Sequence, residues 1–209
     1  MTNVEPPLWK LARKLQALAQ NGLTFATNDY DRERYRAVRD AAAELMVVQS
    51  GNPAETFRHL FASQDGYATP KVDVRAAVFH DGKILLVREA ADGLWTLPGG
   101  WADVNDSPTE AVERELREET GFSGKVTKLA AVYDRAKHPH VPPFPFHIYK
   151  LFFLCEITGG EPRTSSETLA VDFFPPDQLP PLSVSRVLPE QIQLMFEHRK
   201  SPALEAYCD

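Results

Sequence analysis

The chain has little cysteine, no long apolar run and no surplus of positive charge, and each shortage removes a class of protein. Its 209 residues contain two cysteines, Cys155 and Cys208, which make neither a disulfide framework nor a zinc-ligand spacing. Reduced thiols in a cytoplasm fit that usage. The densest apolar patch, Leu151 to Cys155, falls far short of the ~18 residues that a membrane span needs. The first residues carry Lys10, Arg13 and Lys14 through a helical pattern, where a secretion signal would have an unbroken apolar core and a small-residue cleavage site. A net charge of −6 argues against a protein built to coat nucleic acid, so nucleic acid is disfavoured as a partner and small molecules are expected. Repeats and low-complexity segments are also missing.

What is present is ordinary globular composition, 43% hydrophobic and 25% charged, enough for one full domain and a small extra one. Residues 1 to 66 read as a helical module and connector. Leu8, Leu11, Ala12, Leu15, Leu18 and Ala19 recur at helical spacing, Asn21-Gly22 reads as a stop, and Tyr35, Val38, Ala42, Leu45 and Met46 make a second stripe. The connector Gln49-Ser50-Gly51-Asn52-Pro53 leads to a short helix, Ala54 to Ala62. Two short helices bury little alone. Leu11, Leu15, Leu18, Val38 and Leu45 are therefore expected to pack on the chain's own larger domain or on a second subunit, and a homodimer through these helices is the expectation where the chain's own surface is too small.

From residue 67 to 209 the period changes to strand. Val72, Val74, Ala76 and Val78 alternate, Asp81-Gly82 turns the chain, and Ile84 to Val87 runs back as a hairpin. Further strands are expected at Lys125 to Tyr133, His147 to Ile157 and Val171 to Phe174, with a turn at Thr158-Gly159-Gly160-Glu161-Pro162 and a closing helix from about Pro189 to His198. The fold class is α+β, a mixed sheet with helices on its faces.

Within that domain one stretch concentrates chemistry: Leu97 to Phe122, LPGGWADVNDSPTEAVERELREETGF. Ser107-Pro108-Thr109-Glu110 is a capping box with proline at the first helical position, and Gly121 is a left-handed stop, so residues 108 to 120 should be helical. At about 100° per residue, Glu115, Glu118 and Glu119 share one face. Crowded carboxylates call for a cation, and hard oxygen donors favour Mg²⁺ or Mn²⁺, which join one or two carboxylates to substrate phosphates. An ordinary solvated helix with Glu110–Arg114 and Glu113–Arg117 pairs is the plainer reading of the same charges.

Gly100, Arg114, Glu115, Leu116, Glu118, Glu119, Gly121 and Phe122 resemble the Nudix box, G-x5-E-x7-R-E-U-x-E-E-x-G-U, with U aliphatic or aromatic. Asp106 stands where the pattern has its first glutamate, keeping the charge on a shorter arm. The segment from Pro6 to Val48 also resembles the module that precedes the Nudix domain in a subgroup acting on nucleoside diphosphates linked to another group. The resemblance implies an α/β/α Nudix sandwich and hydrolysis of a pyrophosphate. It implies Glu115, Glu118, Glu119 and the Gly99 carbonyl as metal ligands, and Arg114 as the residue orienting the carboxylates. Glu115 or Glu167 would be the general base, Glu167 opening the family-like segment SSETLAVDFFPPDQLPPLS. CDP-choline and ADP-ribose lead the implied substrates, with a slight preference for CDP-choline. A catalytically silent nucleotide sensor and an RNA-processing enzyme are the alternatives within the same family.

The stretch from Asp134 to Phe146 joins basic side chains to aromatics. Arg135 and Lys137 are candidates for phosphate, and His138, Phe144 and Phe146 for stacking on a base or ribose. A proline-stiffened surface loop is equally compatible. Trp9, Trp95, Trp101 and Tyr133 are candidates for contact with a cationic substrate group.

Overall fold

The computed structural model describes residues 7–50 and 52–209; Pro6 and Gly51, at the start of the helical module and in its connector, lie outside them. Two compact units emerge. One holds the chain up to Pro70 together with Pro143–His147, and the other holds Lys71–Pro142 and Ile148–Asp209.

The first unit contains α1 (Pro7–Phe25), α2 (Asp29–Ser50) and α3 (Ala54–Ala62). The Asn28 side chain accepts from the Asp31 amide at 2.9 Å, and Asp29 and Asp31 place negative charge in the first turn of α2, where the helix dipole favours it. The core is Trp9, Ala12, Ala42, Ala43, Met46, Phe57 and Phe61. Alanines on both long helices let them approach closely, so the seam differs from the leucine stripe expected from spacing. Leu11 and Leu18 are 46% and 52% exposed, while Gln16 and Gln20 are buried. Gln16 donates to Gln20, and Gln20 donates to the carbonyls of Asp65 and Gly66. Those bonds are what make two buried amides tolerable. Nor does Asn21-Gly22 stop the helix. Gly22 lies inside α1, and a Cβ there would fall 2.3 Å from the Tyr35 ring, so this glycine serves helix–helix contact. The Pro143–His147 segment joins this unit because Phe146 packs edge-on against Phe61 at 5.9 Å and the Phe144 carbonyl accepts from Arg13 at 3.1 Å.

The second unit contains β1 (Lys71–His80), β2 (Lys83–Glu89), β3 (Trp95–Thr96), α4 (Pro108–Thr120), β4 (Phe122–Asp134), a 3-10 turn (Arg135–Lys137), β5 (Ile148–Gly160), β6 (Thr168–Phe174), α5 (Pro189–Lys200) and β7 (Tyr207–Cys208). The sheet runs β3-β2-β1-β5-β4-β7, with β6 on the other edge of β2. It is mixed: β1–β5 and β4–β7 are parallel, the other pairs antiparallel. β1 is buried on both faces. Val74, Ala76 and Val78 pack with Ala111, Val112 and Leu116 of α4, and Ala77 packs with Ile192, Met195 and Phe196 of α5. The alternation of β1 therefore hides a second buried face. β5 runs on through Thr158-Gly159-Gly160, expected as a turn, because Gly159 and Gly160 pair with Ser123 and Phe122.

One irregularity creates the place where a site can form. β1 and β2 pair only at Phe79–Ile84 and His80–Lys83 and then part. The segment Pro98–Ala102 fills the gap by bonding to β1: Ala76 N–H to the Pro98 carbonyl, Val74 N–H to the Gly100 carbonyl, and Ala102 N–H to the Val72 carbonyl, at 2.8, 2.8 and 3.0 Å. The loop is thereby an internal strand of the sheet in all but length.

Candidate active site

α4 is fixed at both ends by local chemistry. The Ser107 side chain accepts from the Glu110 amide and the Glu110 carboxylate accepts from the Ser107 amide, while Gly121, at φ 77°, donates its N–H to the Arg117 carbonyl. With Ala111, Val112 and Leu116 buried in the sheet, Glu115, Glu118 and Glu119 emerge along the adjoining face. They are not equivalent: Glu119 is buried, Glu115 half-buried and Glu118 exposed.

Arg114 is the hub of that face. Its Nε donates to Asp106 at 3.0 Å, its Nη1 to Glu115 at 2.9 Å and Glu118 at 3.3 Å, and its Nη2 pairs with Asp103 at 3.2 Å. Asp106, the shorter acid in the box, reaches the guanidinium and ties the preceding loop to the helix. The glycine loop lies against the same face. The Gly99 amide donates to Glu119 at 2.8 Å. A Cβ on Gly99, whose φ is 137°, would fall 2.0 Å from the Val74 carbonyl oxygen, and one on Gly100 would meet the Glu115 carboxylate at 3.1 Å. Gly99 has no room for a side chain, and at Gly100 the Glu115 carboxylate would have to shift to admit one.

Burial pushes Glu119 up to about 8, while Arg75 and the Gly99 amide pull the other way. Glu115 is also raised by burial, against the pull of Arg114. Carboxyls so placed gain more from a cation than exposed ones do. The donors fit Mg²⁺ or Mn²⁺: hard oxygens, a glycine cradle, and a flank of exposed carboxylate. Among the described residues no three carboxylate, imidazole or thiol groups form a ready-made cage.

The later acidic segment is docked beside the helix. Thr168 donates its hydroxyl to the Glu119 carbonyl at 2.9 Å, and the Glu167 carbonyl accepts from the Ala90 amide at 2.8 Å. Glu167 itself is exposed and its charge reaches Glu89. Glu89 escapes sequence reasoning. It ends β2, is 6% exposed, pairs with Arg186 at 3.1 Å and lies within the field of Glu119 and Arg75. A lone glutamate at a strand end carries no spacing signal.

The candidates for substrate contact scatter. Trp101 is 45% exposed, bridges Asp73 in the sheet gap and offers its carbonyl to Arg114 at 3.4 Å. Arg135 is buried, its guanidinium donating to the carbonyls of Pro142 and Ser185. Lys137 is exposed in the 3-10 turn. His138 bonds Asp209 at 2.9 Å, and His140 is buried between the Val184 carbonyl and Gln191. Phe144 and Phe146 belong to the helical unit. No helix among the described residues is long and apolar enough to cross a membrane.

Residues 6–61 match the family model described as a UDP-X-like, N-terminal oligomerisation domain, and residues 69–195 match the NUDIX domain. A Bacillus subtilis protein provisionally named an ADP-ribose pyrophosphatase is 43% identical over 202 residues, covering 97% of each chain. The crystal structure of an ADP-ribose pyrophosphatase from Streptococcus suis is 42% identical with a TM-score of 0.62, covering 68% of this chain and 100% of that one. That of a UDP-X diphosphatase is 34% identical with a TM-score of 0.63 over 100% of both chains. The chain thus belongs to the Nudix family and is an enzyme of its pyrophosphohydrolase type.

Proposed function

We propose that the enzyme hydrolyses the pyrophosphate bond of a nucleoside diphosphate linked to a second moiety, giving a nucleoside monophosphate and the phosphorylated second group. The observation that carries this reading is the convergence of the Gly99 amide, Glu119, Glu115 and Arg114 at one end of the sheet gap. Glu115, Glu118, Glu119 and the Gly99 carbonyl would hold Mg²⁺ or Mn²⁺. Bound there, the ion would supply charge neutralisation on the bridging oxygens and a lowered pKa for water. Arg114 keeps Glu115 and Glu118 in place by hydrogen bonds, and Glu115 or Glu167 accepts the proton from the attacking water. An intact acidic face and Arg114 hub support an enzyme over a silent sensor.

ADP-ribose heads the substrates to test because two of the similar proteins bear that activity in their names. The UDP-X likeness keeps UDP-linked compounds beside it. CDP-choline, slightly favoured by sequence resemblance, completes the set. The same likeness supports assembly through the helical unit, as a homodimer, and the low cysteine count supports a cytoplasmic setting. Phosphorus NMR of the products tests the reaction. AMP and ribose 5-phosphate from ADP-ribose are expected with Mg²⁺ or Mn²⁺, and chelation should stop turnover. Direct release of inorganic phosphate, or turnover confined to nucleoside triphosphates, overturns the reading.

A further inference from the structure

Beneath the glycine loop lies a set of buried charges, of which Arg75 also lies within the field of Glu119. Asp73 and Arg75 stand on β1, and Lys150 is the register partner of Asp73 on β5. All three are buried, at 5%, 4% and 2% exposure. Taking ions out of water costs several kcal/mol each, and apolar residues of the same volume would pack as well, so the arrangement is an inefficient way merely to fill a core. Its geometry is directional. Arg75 Nε and Nη2 donate to the two Asp73 oxygens at 3.0 and 2.7 Å, and Lys150 Nζ donates to Asp73 Oδ1 at 2.5 Å. The remaining arm, Arg75 Nη1, donates to the Leu97 carbonyl at 3.1 Å. Leu97 leads directly into Pro98 and Gly99, and a Cβ on Gly99 would fall 2.9 Å from the Arg75 Cα.

A continuous line of contacts therefore runs from Lys150 through Asp73 and Arg75 to the Leu97 carbonyl, and from Gly99 N–H to Glu119. Asp73 occupies one edge of the guanidinium with both oxygens, and Lys150 holds Asp73 from the other side. The fork can then aim its free arm in only one direction. A lysine in place of Arg75 would keep the charge but lose the fork, since a single ammonium has no fixed plane.

We infer that Arg75 is a positioning residue for the reaction: clamped by Asp73 and Lys150, it fixes the Leu97 carbonyl and so sets where the Gly99 peptide meets Glu119. The inference rests on the proposed reading of Gly99 and Glu119 as part of the reaction centre, and it adds residues on a buried face that the family motif does not contain.

The test compares the full-length protein with Arg75→Lys and Lys150→Met. It follows kcat and KM on ADP-ribose, Mn²⁺ binding by electron paramagnetic resonance without substrate, and hydrogen exchange of the Gly99 amide by NMR. Arg75→Lys should lower kcat roughly 10²-fold, the scale of a 1 Å misplacement, leave KM nearly unchanged and speed Gly99 exchange by about tenfold or more. Lys150→Met, which leaves the bonds of Arg75 intact and only unpins Asp73, should move the same readings in the same direction by less. Wild-type kcat with unchanged Gly99 exchange in Arg75→Lys overturns the inference, as does a rise in KM at constant kcat, which would make Arg75 a substrate ligand. Should Arg75→Lys not fold, Lys150→Met decides alone, and unchanged Gly99 exchange there counts against the clamp. If the wild type cleaves none of the nucleoside diphosphate compounds, the proposed function fails while Gly99 exchange and Mn²⁺ binding still judge the clamp.

Discussion

Among the described residues two helices keep exposed faces, and the two faces differ in chemistry. On α4 the exposed side is acidic, with Glu118 exposed beside Glu115 and Arg114. On α1 half-exposed Leu11 and Leu18, with Phe25 68% exposed near its end, stand beside exposed Lys10 and Lys14. An acidic face is soluble in itself and asks only for a counter-ion, so it can wait for a metal and a phosphate. An exposed leucine ridge pays its cost continually in water, and a second protein surface relieves it. Under the proposed function the first kind of exposed face would serve chemistry, and the second assembly.

Glu118→Gln tests the α4 half of that contrast and carries the largest effect. Turnover and Mn²⁺ affinity should fall by roughly 10³-fold or more, with the melting temperature held or slightly raised because a like charge is removed without opening a cavity. Wild-type turnover in this variant would turn the acidic face back into a solvated surface.

The α1 half yields to Leu11→Glu combined with Leu18→Glu. Light scattering should show the homodimer falling to a monomer, while circular dichroism retains helix, because neither leucine belongs to the core of its unit. An unchanged mass in the variant, or a monomeric wild type, would break the comparison by leaving α1's leucines without a purpose.

A third, smaller effect sharpens the contrast by asking what a fully covered polar group does. Burial, with Lys150 and Arg135 nearby, pushes His140 from 6.5 down to about 3. Its folded value lies below its unfolded one, so the stability it contributes is whole above pH about 6.5 and is lost as pH falls toward about 3. Glu119, raised by burial, runs with the opposite sign, and Asp73, held down at about 2 by Arg75 and Lys150 against the cost of burial, titrates lower. The difference between wild type and His140→Gln therefore isolates the imidazole. Between pH about 7 and about 5 the wild type should lose roughly 2 kcal/mol more than the variant. Parallel denaturation curves at both pH values would remove His140 as the cause.

The legible parts of the sequence were those whose signals are local. The bounds of α4 follow from Ser107, Pro108, Glu110 and Gly121 within one short stretch, and Glu115, Glu118 and Glu119 share a face by helical geometry alone. The layered fold followed from the order of strand and helix periods. What escaped depends on distant partners. Asp73 and Arg75 fall between the apolar positions of an alternating strand, and their burial comes with Lys150 and the Leu97 carbonyl as partners. Gln16 and Gln20 carry no local signal of burial; their partners are each other and the Asp65 and Gly66 carbonyls. Arg135 has the composition of a phosphate-binding residue, yet its guanidinium is engaged by carbonyls from Pro142 and Ser185, the second 50 residues away. Glu89 gains its surroundings only when Arg186 folds back onto β2.

The insertion of Pro98–Ala102 between β1 and β2 governs how the enzyme should fail on heating. Most reactive loops hang from a fold and can loosen while the rest persists, so that inactivation precedes unfolding. Here the reactive peptide is laced into the central sheet by the amides of Val74, Ala76 and Ala102, and it cannot detach without unzipping the strand at the heart of its unit. Thermal inactivation and loss of tertiary structure in that unit should then follow a single curve, with no loosened form of the loop populated ahead of the sheet's own unfolding.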